Sequence, residues 1–146
     1  FVEKNLNLKV PENYNFLNED NNMLKKFNAE YENLIKSIND QNINYYVNFI
    51  QDQLFAANKY FNDQEPWKKK NDINRLNTIL YVSLELIRKL SIMLYPIIPE
   101  SSLKVLNTFN IKEKDLDFKS INEHNLLKKN SNLEKISILF KKIEKA

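Results

Sequence analysis

The chain has 146 residues, carries a net charge of +3 and contains one His but neither Cys nor Gly. The length suits a single domain, and the lack of Cys excludes disulfides and thiolate metal sites. P-loops, dinucleotide fingerprints and nucleophile elbows are excluded as well, since each of these motifs needs Gly for close backbone approach or a strained turn.

The N-terminal part of the chain predicts the end of one helix and the whole of another. Residues 1–8 are interpreted as the tail of a truncated helix, because Pro11 disfavours helix at the residue before it. Over about residues 20–37, apolar residues recur at helical spacing on one face, which we expect to be core. Asp20 or Asn18 is the candidate N-cap of this first complete helix.

Two longer helices follow, over about residues 41–62 and 72–94. Asp40 is the expected N-cap of the second helix, and the third is apolar on most sides, which is typical of a helix in the middle of a bundle. Asn58 falls between core positions of the second helix, so its amide is expected to satisfy a neighbouring helix end or loop. Glu85 on the third helix is interpreted as a solvated surface charge or an intrahelical partner of Lys.

The third helix is expected to end at two prolines, with a short fourth helix after them. Pro96 and Pro99 stop the third helix, and Pro99 opens the fourth, because Pro is well tolerated in a helix's first turn. Residues 110–131 are polar and irregular, whereas residues 133–143 predict a final, weaker helix. Three apolar residues are expected to anchor the irregular region on the bundle: Leu116, Phe118 and Ile121.

Long helices with short connections predict an all-α antiparallel helical bundle. No strand pattern competes, so we expect one domain over residues 1–146, cut from a longer protein. No window is apolar enough to span a membrane and no signal peptide is visible, so we expect a cytoplasmic location and no membrane partner. DNA is not expected as a partner either. The apolar stripes that should face the core include Leu24, Phe27, Ile38, Ile43, Ile50, Leu54 and Ile87.

One corner of the predicted bundle combines an aromatic ring, a constrained backbone and positive charge. Trp67, the only Trp in the chain, follows Pro66 and precedes Lys68, Lys69 and Lys70, between the second and third helices. A ring on a Pro-constrained backbone beside cationic residues suits a stacking platform for an unpaired base. The alternative is that Trp67 closes the end of a helix pair, since most Trp residues are largely buried.

Several motifs occur in a defined order along the chain. Ala-Asn-Lys-Tyr at residues 57–60 precedes Pro-Trp at residues 66–67, and Pro-Ile-Ile-Pro-Glu follows at residues 96–100. Val-Pro at residues 10–11 comes before them, and Leu-Phe-Lys-Lys-Ile-Glu at residues 139–144 comes after. This ordered set resembles the C-terminal anticodon-binding domain of bacterial methionyl-tRNA synthetase, whose pattern is Ala-Asn-x-Tyr, Pro-Trp and Pro-x-x-Pro-Glu. The resemblance covers essentially the whole chain.

The resemblance implies a function for the chain and for the enzyme to which it would belong. The parent enzyme joins methionine to its tRNA using ATP, and the helical domain recognises the CAU anticodon of tRNA(Met). The two ATP-binding signatures of that enzyme have no counterpart here, so this chain is expected to hold no catalytic residue, cofactor or metal. ATP, and zinc where it is used, would belong to the missing catalytic domain. The expected partners are that domain and the tRNA(Met) anticodon stem-loop.

The resemblance also implies roles for individual residues. In the family, the Trp that follows the Pro stacks on an anticodon base, so Trp67 is expected to stack and Pro66 to fix its position. Adjacency to Trp67 and positive charge, independently of the family, predict contacts with the RNA backbone from Lys68, Lys69 and Lys70, and Lys4 is the nearest basic residue on the stub of the truncated helix. Structural roles are expected for four further residues: Asn58, Tyr60, Pro96 and Pro99. The Asn and Arg that read anticodon bases in this family would precede Phe1 and are not in the chain.

Two alternatives stay open at this stage. One is the anticodon-binding domain of another class I aminoacyl-tRNA synthetase, which would prefer a different anticodon. The other is a helical bundle used only for protein interaction, which would show no salt-dependent RNA binding. The Pro-Trp dipeptide in its context favours the methionine family, and the coincidence of Trp, Pro and a Lys run at one helix corner favours RNA binding.

Overall fold

The computed structural model of the chain describes residues 9–11, 15–111, 117–122, 127 and 132–134. Within these ranges the regular structure consists of four α-helices and two short 3-10 helices. The predicted all-α antiparallel bundle is therefore confirmed. None of the helices in these ranges has the length and apolar character needed to cross a membrane.

The three long helices have 22 residues each: α1, Asn18–Asn39; α2, Ile43–Gln64; and α3, Ile73–Leu94. A shorter helix, α4, covers Pro99–Thr108 and has Pro in its first turn, as predicted. The two 3-10 helices cover Pro66–Lys68 and Phe118–Asn122. Helix α3 contacts all three other α-helices and is buried on most sides, which agrees with its predicted place in the middle.

The turn between α1 and α2 differs from the prediction. Helix α1 ends at Asn39, and Gln41, two residues further on, adopts a left-handed conformation with φ of 57° that turns the chain away from the helix. The N-cap of α2 is Asn42, whose side-chain oxygen accepts a hydrogen bond from the Tyr45 N–H at 3.3 Å. Asp40, the predicted cap, instead closes the C-terminus of α1. Asn and Asp cap helices about equally well, so the choice depends on where the chain turns.

Several residues predicted to face the core do not. Ile38, Ile43, Leu54 and Ile87 are between 40% and 60% exposed. Helix α2 buries Tyr46, Ile50, Gln53 and Tyr60, so its inner face is rotated from the stripe expected at Ile43 and Leu54. Because α2 carries apolar residues on several sides, periodicity alone did not select the face that packs against α1 and α3.

A buried ion pair on α3 joins the central helix to the chain that follows α4. Glu85 and Arg88 have no exposed side-chain surface, and Arg88 Nη2 lies 2.8 Å from Glu85 Oε2. Glu85 Oε1 accepts the Leu127 N–H at 2.9 Å, and Arg88 Nη1 donates to the Ser120 carbonyl at 3.1 Å. The interpretation of Glu85 as a surface charge is therefore wrong. The described residues that cover this pair, 117–122 and 127, are called the covering segment; they help to remove these side chains from water and supply backbone hydrogen bonds in its place.

The same segment packs on the bundle through apolar residues. Ile121 is fully buried, and the Phe118 ring stacks on Tyr31 with ring centroids 5.5 Å apart. These two predicted anchors are confirmed, whereas Leu116 lies outside the described residues. The predicted stub over residues 1–8 and nearly all of the predicted helix over residues 133–143 lie outside them as well.

Three long helices also meet at a second buried ion pair. Asp20, in the first turn of α1, is fully buried and accepts two hydrogen bonds from Arg75 of α3, at 2.6 and 3.0 Å. The Tyr60 hydroxyl of α2 donates to the same carboxylate at 2.6 Å. Arg75 also donates to the side-chain oxygen of Gln64, the last residue of α2, at 2.6 Å. We call these four residues the corner cluster.

Asp20 was a candidate N-cap, but α1 is preceded by Leu17, whose N–H donates to the Asp20 carboxylate at 2.9 Å. Burial of the Asp20 carboxyl raises its pKa, but hydrogen bonds from Arg75, Tyr60 and Leu17 lower the pKa by more. The pKa of Asp20 is therefore below its ordinary value of 3.8. In Tyr60, burial and then the hydrogen bond to Asp20 raise the pKa of the hydroxyl. Both shifts favour the ionised carboxylate with a neutral phenol.

Replacing Glu85 with Gln should lower the free energy of unfolding by about 3 kcal/mol, because the buried Arg88 guanidinium would lose its counter-charge. Urea denaturation followed by circular dichroism measures this change. The matched control is Glu100→Gln, which removes a carboxylate that is 88% exposed on α4 and should leave the midpoint unchanged. Equal midpoints for the two variants would show that the Glu85–Arg88 pair does not hold the covering segment.

Asp20→Asn should lower the free energy of unfolding by about 2 kcal/mol at neutral pH, because it removes charge-assisted hydrogen bonds. The pKa of Asp20 is lower in the folded state, so its stabilisation is present above pH 3.8 and is lost as pH falls through the folded-state pKa. The difference from wild type should therefore be constant from about pH 7 to 5 and narrow below about pH 4. Denaturation at a series of pH values tests this, with the exposed Asp63→Asn as the control. A difference that stays constant down to pH 3 would contradict it.

Candidate nucleic-acid interface

The corner between α2 and α3 is built from a left-handed residue and a 3-10 helix. Glu65, directly after α2, has φ of 46° and ψ of 58°, a conformation that costs a non-Gly residue about 1–2 kcal/mol. Pro66 follows as the first residue of the 3-10 helix and is buried. The Lys69 N–H donates to the Pro66 carbonyl at 3.1 Å, and the Asp72 N–H donates to the Lys69 carbonyl at 2.9 Å. These hydrogen bonds define one backbone path through the corner.

Trp67 projects from this corner with 43% of its surface exposed. Its ring packs on Phe61 of α2, with ring centroids 6.2 Å apart and planes inclined by 56°. One side of the indole is therefore supported by the protein, and a large part of the ring faces solvent. A Trp that only closed the core would be buried, so the exposed area favours a contact with another molecule.

The three lysines after Trp67 have different surroundings. Lys68 is exposed, and its Nζ lies 2.7 Å from the Glu65 carboxylate, so part of its charge is neutralised. Lys69 is half-buried in the turn that leads into α3, and Lys70 is exposed. Lys4, the fourth predicted backbone contact, lies outside the described residues.

Two members of the corner cluster lie at the two ends of this loop. Gln64 immediately precedes Glu65, and Arg75 lies in the first turn of α3, where Asp72 is the N-cap and accepts the Arg75 N–H at 3.1 Å. Sequence reasoning did not single out Arg75 or Gln64. One signal was available: the chain has 22 Lys and Arg residues, and only Arg75 and Arg88 are Arg. Both form buried or partly buried forked contacts that Lys cannot reproduce.

The residues expected to be structural have mixed outcomes. Tyr60 is buried and hydrogen-bonded within the corner cluster. Asn58 is exposed on α2 and does not lie between buried positions as the misplaced α2 stripe implied, and its expected role in satisfying a neighbouring helix end or loop stays a prediction. Pro99 is the first residue of α4, and Pro96 is exposed in the turn before it. In the part of the chain that the structure describes, no three His, Cys, Asp or Glu side chains come together as a metal site.

The chain is similar to known proteins over most of its length. Residues 10–146 match the family described as the anticodon binding domain of methionyl tRNA ligase. The methionine–tRNA ligase of Brucella suis is 33% identical over 121 residues, which are 82% of this chain and 24% of that protein. The Picrophilus torridus ligase is 32% identical over 143 residues, 96% of this chain and 20% of that protein. The chain thus spans about a quarter or less of the length of these relatives.

Solved structures give the same result. The free methionyl-tRNA synthetase of Mycobacterium tuberculosis superposes with a TM-score of 0.88 at 26% identity, covering 99% of this chain and 30% of that one. The structure of that synthetase bound by methionyl-adenylate gives 0.87 at 27% identity, covering 96% and 28%. The family match, the relatives and the shared fold agree, and the chain belongs to the family of anticodon binding domains of methionyl tRNA ligase.

Proposed function

We propose that this chain is the anticodon-binding domain of a methionine–tRNA ligase and that it recognises the CAU anticodon of tRNA(Met). The observation that carries the proposal is the half-exposed ring of Trp67, held at a Pro-constrained corner of a bundle that belongs to this family. The parent enzyme would use ATP to join methionine to the tRNA, as the methionyl-adenylate bound to a relative suggests. That chemistry belongs to a catalytic domain outside these residues.

Trp67 supplies the contact with an unpaired base. Anticodon bases are splayed from their loop, and each base that stacks on an aromatic side chain contributes about 1–3 kcal/mol. Phe61 supports the indole from the protein side, so a base approaching from solvent meets a ring that is already fixed. Pro66 restricts the backbone directly before the ring, which reduces the ordering required on binding.

Lysines at the same corner supply the sequence-independent part of binding. Lys70 is exposed, and Lys68 is exposed although it is paired with Glu65. Lys68 directly follows Trp67 and Lys70 comes three residues after it, so both are close enough along the chain to meet phosphates that flank a stacked base. Such contacts position the RNA and make its affinity depend on salt, but they do not read the bases.

Trp67→Ala should raise the Kd for a CAU anticodon stem-loop about ten- to hundredfold, the range that follows from loss of one stacked base. Trp67→Phe should retain part of the affinity because a smaller ring still stacks. The matched control is Tyr95→Ala, an aromatic residue 39% exposed at the far end of α3, about 33 Å along the helix from the corner. Circular dichroism verifies that each variant folds. A Trp67→Ala variant that is folded and binds as wild type would contradict the stacking role.

The logarithm of the association constant for a CAU stem-loop should fall linearly with the logarithm of salt concentration, and Lys70→Gln should reduce that slope by about one. The loss should be equal for a stem-loop with one altered anticodon base, since a phosphate contact carries no sequence information. Lys104→Gln on α4 has the same charge change and should leave the slope unchanged. Preference for CAU over the altered loop supports base recognition within these residues, whereas absence of salt-dependent binding would favour a protein-interaction bundle.

A further inference from the structure

The corner that carries Trp67 has an anchor on each side of the loop, and the two anchors contact each other. Gln64 is the residue before Glu65, and Arg75 lies just inside α3. Arg75 Nη2 donates both to the Gln64 side-chain oxygen at 2.6 Å and to Asp20 Oδ1 at 3.0 Å. The guanidinium therefore fastens the end of α2 and the start of α3 to the first turn of α1.

This contact matters because the loop between the anchors is short and strained. Only ten residues separate Gln64 from Arg75, and they include the left-handed Glu65 and the 3-10 helix that contains Trp67. A backbone conformation of this kind persists when the surrounding structure over-determines it. The Gln64–Arg75 hydrogen bond holds the loop's ends together, so it restricts the direction in which the 3-10 helix and its indole can point.

Arg75 is poorly placed to act on RNA directly. Its side chain is 14% exposed, and its partner Asp20 is fully buried. Two of its nitrogens donate to the Asp20 carboxylate, which neutralises the positive charge. A residue in this position acts through geometry, by fixing other groups before the ligand arrives.

We propose that Arg75, fixed by Asp20 and joined to Gln64, is a positioning residue for RNA recognition that orients Trp67 without touching the RNA. The proposal rests on the proposed function of Trp67 as a stacking platform. It adds three residues to that site: Gln64 and Arg75, which flank the loop of Trp67, and Asp20, which is distant from Trp67 in sequence. Ordering the ring before binding removes a conformational-entropy penalty that the complex would otherwise bear.

Two variants of the intact chain test the proposal. Gln64→Met removes the amide that joins α2 to Arg75 and leaves the Arg75–Asp20 pair in place. Arg75→Lys keeps the charge, but a single ammonium does not reproduce the fork that reaches both Asp20 and Gln64. The matched control is Gln53→Met, which removes a buried amide from the same helix. Gln53 Oε1 has no hydrogen-bond partner among the described residues, so this change leaves the hydrogen bonds of the corner cluster in place.

The first readout is the fluorescence of Trp67, which reports on one site because the chain has a single Trp. In the free protein, Gln64→Met and Arg75→Lys should lower the indole anisotropy and increase its quenching by acrylamide, whereas Gln53→Met should behave as wild type. Circular dichroism verifies the fold of each variant. Unchanged fluorescence in both corner variants would overturn the proposal, because a purely structural role would not alter the ring's mobility.

The second readout is the affinity for the CAU stem-loop. Both corner variants should raise Kd about three- to tenfold, as expected when one side chain is ordered on binding instead of before it. The salt slope should stay as in wild type, since no phosphate contact is lost. A slope reduced by about one in a variant that lacks Arg75, Arg75→Gln, would mean that Arg75 contacts a phosphate and would overturn the proposal.

A double-mutant cycle separates this inference from the function on which it rests. In a Trp67→Ala background, Gln64→Met should have no further effect on Kd, because the ring that it positions is absent. Equal effects in both backgrounds would overturn the positioning role and leave the stacking role of Trp67 intact. Failure of the wild-type chain to bind the stem-loop would overturn the proposed function and this inference together.

Discussion

The forked contact between Arg75 and Asp20 is the interaction on which the arrangement of the long helices depends. It joins the first turn of α1 to the first turn of α3, and hydrogen bonds from Tyr60 and to Gln64 bring in the end of α2. A carboxylate with no exposed surface is stable only when such donors replace its water. Each of the three helices therefore has its position fixed relative to the other two.

The other buried ion pair, Glu85 and Arg88, also joins separate parts of the chain to α3. It satisfies backbone groups of Ser120 and Leu127, so the described residues after α4 are joined to the central helix by hydrogen bonds to charged side chains as well as by apolar contact. Both Arg residues of this Lys-rich chain are used in this way. Lys89 is fully buried as well, so burial is not confined to Arg, but the planar guanidinium can form a forked contact with a buried carboxylate that an ammonium cannot.

The contacts of Arg75 with Asp20 and Gln64 lie beside the corner that holds Trp67 with its ring exposed. Apolar packing alone would bury an indole, yet Trp67 is held against Phe61 with much of its ring exposed. A rigid bundle beneath a left-handed residue and a Pro can present an aromatic face in one orientation, which is what stacking on a splayed base requires. The chain that carries this corner shares its fold with methionyl-tRNA synthetase structures and belongs to a family of anticodon binding domains.

The helical bundle, the turn at Pro66 and the family were all apparent from the sequence, because helical periodicity, Pro positions and ordered motifs are local properties of the chain. The inner face of α2 was not apparent from the sequence, because α2 carries apolar residues on several sides. Periodicity allowed more than one buried face, and packing against α1 and α3 determined which one is buried. The burial of Glu85 and the convergence of Asp20 and Arg75 were decided only by tertiary structure. Asp20 and Arg75 are 55 positions apart and meet because three helices pack together. No local sequence pattern predicts which charged side chains such packing removes from water.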